Sequence, residues 1–456
     1  VMEQQERSKM LGTMPMGRLV PKVSVPIMVS MLVQALYNIV DGIFVARYSP
    51  NALTAVSLAF PIQLLMIAVA TGLGVGINSL ISRKLGEKRA EEARDAAKNG
   101  MFTELCGYAL FLVFGLLFAK PFFNLFTDDM ELQALGGEYL SIVCIFSFGL
   151  FFGICFERMM QATGNTVLSM VTQLTGAVIN IILDPIMIFG LLGCPAMGIA
   201  GAAIATVIGQ IGGMTLGLVL NQAKNVELRL HLKGFRPNKT ILKGILDVGF
   251  PSIIMQSISS VMNVLMNMIL LGFGATAVNV LGVYFKLQSF VFMPVFGLSN
   301  GLVAILGYNY GARMRARVYD ALKVALIWAC VIMLLGTIAF LLIPETLLSL
   351  FEAGNARDLT DMGVVALRVI SLSFLLAAVG ITISTLFQAV GKGFYSLLMS
   401  LCRQLIVLLP AAWVLSALGG LDAVWWCFPI AEIVSLALCL ALYRRVDEKL
   451  LKPLGE

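Results

Sequence analysis

The sequence has few charged residues and almost no histidine, and this scarcity argues against several classes of protein. Asp, Glu, Lys and Arg make up 13% of its 456 residues and hydrophobic residues 59%, whereas soluble domains carry about 25% charged residues. His231 is the one histidine, and no G-x-x-x-x-G-K-[ST] phosphate-binding loop is present. A soluble fold, a Ser-His triad and direct use of ATP are therefore all disfavoured.

The eight cysteines lack the spacing that is typical of disulfide frameworks or metal sites. They are scattered, mostly within apolar runs, and no C-x-x-C pair occurs. We interpret them as small hydrophobic residues. The net charge of +6 does not indicate a nucleic-acid partner either, because most Lys and Arg residues lie in short segments between apolar runs.

Long apolar runs recur along the whole chain. Each is long enough to cross a hydrocarbon core of about 30 Å at about 1.5 Å per residue. In lipid only helices and closed barrels satisfy the backbone, and these runs are continuous rather than alternating, which favours helices. We predict an all-α integral membrane protein with twelve transmembrane helices, at 21–47, 51–82, 93–119, 131–159, 167–190, 196–221, 244–274, 277–309, 316–342, 359–388, 394–417 and 421–444.

The basic residues predict the orientation of these helices. Lys and Arg cluster in segments 83–98, 224–243, 313–317 and 444–452, whereas segments 127–131 and 344–352 are poor in them. With twelve spans, every basic segment falls on the same side as both termini. The positive-inside rule assigns that side to the cytoplasm. The expected location is the plasma membrane, which is the inner membrane in bacteria, with many passes and cytoplasmic termini.

The two halves of the chain repeat each other at a constant offset of 225 residues. The equivalent pairs are Pro26/Pro251, Asn38/Asn263, Phe60/Phe285, Gln63/Gln288, Gly72/Gly297, Gly76/Gly301, Gly86/Gly311 and Pro185/Pro410. The predicted units are an N-terminal lobe of six helices at 1–221, an inter-lobe loop at 222–243 and a C-terminal lobe of six helices at 244–456. An even repeat keeps its orientation, so the lobes should be related by a pseudo-two-fold axis along the membrane normal. Transporters are built in this way, with the substrate site between the halves.

Ionisable side chains inside membrane helices are costly, so they are candidates for function. The first helix carries a polar face spaced by three, four and seven residues, made of Gln34, Tyr37, Asn38 and Asp41. The fifth helix carries Asn180 and Asp184, four residues apart. Both acids lie roughly 25 to 30 Å from the cytoplasmic ends of their helices. We therefore expect Asp41 and Asp184 to meet.

These groups form a candidate site for a coupling ion. Pro185 has no amide hydrogen, which leaves the carbonyl of Ile181 without its helical partner. Carboxylate, amide and carbonyl oxygens suit a hard cation, and two close carboxylates that repel each other can also take up a proton. The pattern predicts coupling to H⁺ or to Na⁺, the latter bound by Asp41, Asn180 and Asp184. The alternative is that the two acids are independent and serve separate polar patches.

The C-terminal half carries different residues at the equivalent positions. Met266 and Leu409 stand where the N-terminal half has Asp41 and Asp184, so we infer that coupling belongs to the N-terminal half. The C-terminal half has its own charges at mid-membrane depth. Glu432 can pair with Lys286 or Arg403, as a structural ion pair or as part of transport.

The sequence resembles the multidrug and toxic compound extrusion family over nearly its whole length. The resemblance is carried by "SVPIMVSMLVQALYNIVDGIFVAR", "INIILDPIMIFG" with "GIAGAAIAT", and "FKLQSFVFMPVFGLSNGLVAILGYNYGA". It implies two lobes around a central cavity, and export of cationic or amphipathic drugs in exchange for H⁺ or Na⁺, without any other cofactor. Asp41, Asn180 and Asp184 match the family's N-lobe acidic cluster, and Thr206 is the candidate for its hydroxyl from the sixth helix.

On this hypothesis Gln34, Tyr37 and Asn38 form the wall of the drug site, and the protein works as a monomer in the bilayer. Three other functions fit the sequence less well. A flippase for lipid-linked sugars usually has fourteen helices and a strongly basic cavity. An ion channel fits poorly with acids in one lobe alone. A membrane enzyme lacks a nucleophile, because the G-x-S-x-G match at 297–301 lies inside an apolar helix.

Overall fold

A computed structural model describes residues 7–350 and 356–455, and these residues form helices and connecting turns. The N-terminal lobe contains α1 (Met16–Tyr48), α2 (Pro50–Gly86), α3 (Ala90–Leu117), α4 (Met130–Ile145 and Phe148–Ala162), α5 (Thr166–Phe189) and α6 (Ile199–Lys224). The C-terminal lobe contains α7 (Lys239–Leu271), α8 (Ala275–Gly311), α9 (Arg315–Leu342), α10 (Ala356–Ser371 and Phe374–Ala389), α11 (Gly393–Val424) and α12 (Cys427–Leu451). Ten of the described helices are long and apolar enough to span a membrane, and two bent pairs bring the number to twelve. The predicted all-α membrane fold is thus confirmed.

Two equivalent spans are bent, which the sequence did not predict. α4 bends by 41° and α10 by 48°. At each bend a serine hydroxyl donates to a backbone carbonyl three residues back: Ser147 to Cys144 at 2.8 Å and Ser373 to Ile370 at 2.6 Å. Such bonds compete with the helical ladder, so these bends need neither proline nor glycine.

Other differences concern the ends of helices. Short helices at Ala119–Phe126 and Pro344–Ser349 follow α3 and α9, and residues 351 and 352 of the predicted segment 344–352 lie outside the described residues. α6 and α7 both extend into the predicted loop 222–243. The predicted start of the last helix, at 421, is wrong. α11 is kinked at Gly420 (φ 75°) and ends at Val424, and α12 begins at Cys427.

The repeat-related glycines bring the two lobes into contact. Gly72 and Gly76 of α2 pack against α7, and Gly297 and Gly301 of α8 pack against α1. A Cβ atom on Gly76 would lie 2.3 Å from the carbonyl oxygen of Ile245. These contacts lie in the half of the molecule that carries the basic segments, here called the basic side. The lobes are therefore closed together on the basic side.

The segment 7–15 crosses the basic side and joins the lobes. The backbone amide and hydroxyl of Ser8 both donate to the carboxylate of Glu227, which follows α6. On the other lobe, Asn309 and Arg317 donate to the carbonyl of Leu11 at 2.9 and 3.1 Å. We call this segment the latch.

Candidate functional site

The predicted meeting of Asp41 and Asp184 is present in the structure. α1 packs beside α5, and the two carboxyl groups face each other within hydrogen-bonding range. Asp184 is fully buried and Asp41 is half-buried. Among the described residues, no donor reaches either oxygen of Asp184 or the Oδ1 of Asp41. Two facing carboxyls repel each other when both are charged, and a proton or a cation between them removes this repulsion.

The neighbouring side chains complete an oxygen-rich site. Asn180 is buried beside the pair, and its Oδ1 has no partner among the described residues. Its amide nitrogen lies 3.5 Å from the hydroxyl of Thr206 on α6, which donates to the carbonyl of Ala202. The Tyr37 hydroxyl lies close to Asn180 and Thr206. Unpaired carboxylate and amide oxygens fit H⁺ or Na⁺.

A cavity of about 200 Å³ adjoins this site within the N-terminal lobe. Tyr37, Asn180 and Thr206 line it, so the ion site and the cavity share three side chains. Gln34 also lines the cavity, and its side-chain oxygen accepts a hydrogen bond of 2.6 Å from Gln173. Asn38 is exposed and lies outside the cavity wall.

Charged residues near this cavity were missed by the sequence analysis. Glu157 and Arg158 line it, and Arg158 donates to Gln161 at 3.1 Å. Glu104 on α3 is fully buried, and neither of its oxygens has a hydrogen-bond partner among the described residues. Glu157 and Arg158 stand near the end of the predicted span 131–159, whereas Glu104 lies well inside the predicted span 93–119. The sequence does indicate them, since each is a charged residue within a predicted span.

In the C-terminal lobe, Arg403 is one partner of Glu432. The Nε of Arg403 lies 3.7 Å from the Oε1 of Glu432. Lys286 is exposed. At the positions equivalent to the acid pair, Met266 is fully buried and Leu409 is partly buried.

Two six-helix lobes with matching helices, and an acid pair beside a cavity in one of them, define a membrane transporter with two repeat-related lobes. The family model described as MatE matches residues 26–186 and 251–414, one segment in each lobe. The chain belongs to the MatE family, and it is a multi-pass membrane transporter rather than an enzyme.

Individual relatives show the same similarity over nearly full length. The multidrug export protein MepA of Staphylococcus aureus (strain MSSA476) is 26% identical over 422 residues, which cover 92% of each chain. The protein of that name from Staphylococcus haemolyticus (strain JCSC1435) is 27% identical over 428 residues, or 94% of this chain and 93% of that one. A solved outward-facing structure of a multidrug resistance MATE family transporter of the MOP superfamily matches with TM-score 0.90 and 27% identity, covering 97% of this chain and 98% of that one.

Proposed function

We propose that this protein is a secondary active multidrug efflux transporter that exports cationic or amphipathic drugs in exchange for H⁺ or Na⁺. The observation that carries the proposal is the pair Asp41–Asp184, whose facing carboxyls have no donor between them and whose neighbours Tyr37, Asn180 and Thr206 line a cavity. Uptake of H⁺ or Na⁺ would remove the repulsion between the two carboxylates. The similar Staphylococcus proteins are named multidrug export proteins, which supports the proposed efflux function.

The proposed cycle couples the ion to the drug through shared side chains. When Asp41 and Asp184 are both charged, they repel each other and favour separation of α1 and α5. Uptake of H⁺ or Na⁺ removes this repulsion, so Tyr37, Asn180 and Thr206 can close around the ion. Because these three residues also line the cavity, closure reduces the space for the drug. The drug then leaves from the side that is open.

The proposed setting is the plasma membrane of a bacterium, with both termini and the basic side in the cytoplasm. In that orientation the described conformation, closed on the basic side, faces outward. The protein is proposed to work as a monomer, since each lobe carries its own cavity and both lobes belong to one chain.

Drug uptake into everted membrane vesicles tests this function. A pH gradient and a sodium gradient are imposed in separate experiments, and accumulation of a fluorescent cationic dye is followed. We expect one gradient to drive uptake and the other to have little effect. Asp95→Asn is the matched control, because Asp95 is exposed at the start of α3. Dye accumulation that is equal with and without both gradients would refute coupled export.

A further inference from the structure

The C-terminal lobe contains a second and larger cavity, which the proposed coupling does not use. Its volume is about 540 Å³, within the range of about 300–1,000 Å³ that is common for small-molecule sites. It lies between α7, α8, α10, α11 and α12 and includes the Arg403–Glu432 ion pair in its wall. The acid pair Asp41–Asp184 is in the other lobe, so this cavity needs an explanation of its own.

Aromatic rings form much of the wall. Tyr284 and Phe428 lie with ring centroids 5.8 Å apart, and Phe292 and Phe296 lie 6.1 Å apart in an edge-to-face arrangement. Phe285 adds a fifth ring beside Tyr284. Rings in this arrangement offer both faces and edges to a ligand, so they suit a flat aromatic group and attract a delocalised cation.

Arg403 and Glu432 in the wall are far apart for an ion pair, and both side chains line the cavity. At 3.7 Å, the distance between Nε of Arg403 and Oε1 of Glu432 exceeds that of a hydrogen bond. The two side chains keep 22% and 13% of their surface accessible. Arg403 lies in a π-helical turn, Cys402–Ile406, closed by the bond from the Val407 amide to the Cys402 carbonyl at 3.1 Å. Such turns are rare and occur often at functional sites.

The charge balance of the cavity identifies the class of ligand. Among the described residues that line it, Arg403 and Glu432 carry the charges, and these sum to zero. A cationic ligand that pairs with Glu432 would leave Arg403 without its partner in a medium of low dielectric constant, and an anionic ligand would do the reverse. A ligand with both charges can replace each half of the ion pair by its own group.

We propose that the C-lobe cavity binds aromatic zwitterions, with the ligand's carboxylate on Arg403 and its cationic group on Glu432. This inference rests on the proposed export function, since it names a substrate class for it. The flat part of the ligand lies against the aromatic rings of the cavity wall. The Gln404 amide, which donates to the Ser259 hydroxyl at 3.3 Å, joins α11 to α7 at the rim and holds the π turn in place.

Three dyes that share one scaffold of three fused rings test the proposal on the purified full-length protein. Rhodamine 110 is a zwitterion, rhodamine 123 is its methyl ester and therefore a cation, and fluorescein is an anion. Fluorescence anisotropy in detergent gives their dissociation constants without any ion gradient. Binding that is lost in the double variant Arg403→Gln/Glu432→Gln reports on the C-lobe cavity, because the N-lobe cavity is unchanged in that variant. We expect this part of the binding to favour rhodamine 110 at least about tenfold over either of the other dyes. Equal affinity for the three dyes in this part of the binding would overturn the proposal.

Substitutions then give a readout that a purely structural ion pair would not give. Arg403→Gln leaves the acid alone and should shift the preference towards rhodamine 123, whereas Glu432→Gln should shift it towards fluorescein. The double variant, which keeps the cavity neutral, should bind all three dyes weakly. Glu448→Gln removes one partner of the exposed pair Arg444–Glu448 and serves as the control. An unchanged order of dye affinities in the folded single variants would refute the site.

The two proposals can fail separately. Binding in detergent does not depend on the gradient, so crossed dye preferences without gradient-driven export would retain this site and refute the proposed function. Export that survives while the dye preferences do not depend on Arg403 or Glu432 would refute the site and retain the function.

Discussion

Gly76 on α2 packs against the backbone of Ile245 on α7, so closely that a methyl group on the glycine would stand 2.3 Å from the carbonyl oxygen. A backbone atom cannot move aside as a flexible side chain can. The equivalent Gly301 packs in the same way against Ser24 of α1, where a Cβ would lie 2.7 Å from the hydroxyl. The two lobes therefore meet on the basic side at two repeat-equivalent positions, Gly76 and Gly301.

A methyl group at Gly76 should therefore loosen the contact between the lobes. We expect Gly76→Ala to lower the free energy of unfolding of the closed state by about 1–3 kcal/mol, as overpacking does. The measurement is thermal unfolding in detergent. Gly282→Ala is the control, because nothing lies within 4 Å of a Cβ built there. Equal melting temperatures for the two variants would contradict the close contact.

The acid pair leads to a prediction about coupling. Asp41→Asn and Asp184→Asn should each abolish gradient-driven export and leave the protein folded, because an amide can donate to the remaining carboxyl and replaces the ion. Efflux is measured at saturating gradient, and folding by size-exclusion chromatography. Wild-type efflux in both variants would refute the assignment of coupling to this pair.

The meeting of Asp41 and Asp184 could be predicted because it depends on two simple quantities. Their positions along α1 and α5 set the depth, and the spacing from Tyr37 and from Asn180 sets the face of each helix. The twelve spans follow from apolar length in the same way. The repeat predicted which glycines are equivalent, although the partners against which they pack are known from the structure.

Other parts of the site could not be predicted, because they depend on how each helix is rotated against its neighbours. Glu157 and Arg158 are adjacent in sequence, and only packing shows that both line the N-lobe cavity. Four of the five rings of the C-lobe cavity stand on α8, and only the packing of α12 against it brings Phe428 beside them. The bend at Ser147 comes from a hydroxyl that replaces a helical bond, and most serines in helices produce no such bend.

The latch provides a prediction about pH. Burial raises the pKa of the Glu227 carboxyl above its ordinary value, although the hydrogen bonds from Ser8 and the charges of Lys9 and Arg94 act in the opposite direction. A carboxyl with a raised pKa in the folded state contributes stability that is fully present below its unfolded pKa, about 4.3. That stability is lost as the pH rises through the raised pKa.

Melting temperatures of the wild type and of Glu227→Gln, measured between pH 4 and pH 7.5, isolate this effect from other titrations. We expect the wild type to lose stability relative to the variant as the pH rises, because glutamine does not titrate. A difference between the two proteins that stays constant over this range would show that Glu227 has no part in the pH dependence.

Orientation is tested by labelling from one side of the membrane. Asp128 and Arg236 are both exposed, on opposite ends of the lobe. In intact cells, a membrane-impermeant maleimide should react with Asp128→Cys, and with Arg236→Cys only after the cells are opened. The parent protein, which has eight native cysteines, gives the background. The reverse pattern would place the basic side outside and invert the proposed direction of transport.

The shared wall of Tyr37, Asn180 and Thr206 predicts that ion and drug compete. These side chains surround the acid pair and also line the N-lobe cavity, so they cannot close around an ion and hold a drug in the same position. Lowering the pH, or adding Na⁺, should therefore weaken binding of a cationic drug to the detergent-solubilised protein. Titrations at two pH values and two sodium concentrations measure the effect and identify the ion.

Asp41→Asn separates competition from a general effect of pH. The amide removes one charge of the pair permanently, so the variant should bind drug as weakly as the ion-loaded wild type does, and its affinity should no longer respond to pH or Na⁺. Asp95→Asn should respond as the wild type does, because Asp95 is exposed. If drug affinity in the wild type were the same under all four conditions, competition at the shared wall would be wrong. The acid pair would then act on the drug only at a distance, through movement of α1 against α5. In that case the affinity of Tyr37→Phe for drug would not respond to Na⁺ or pH either.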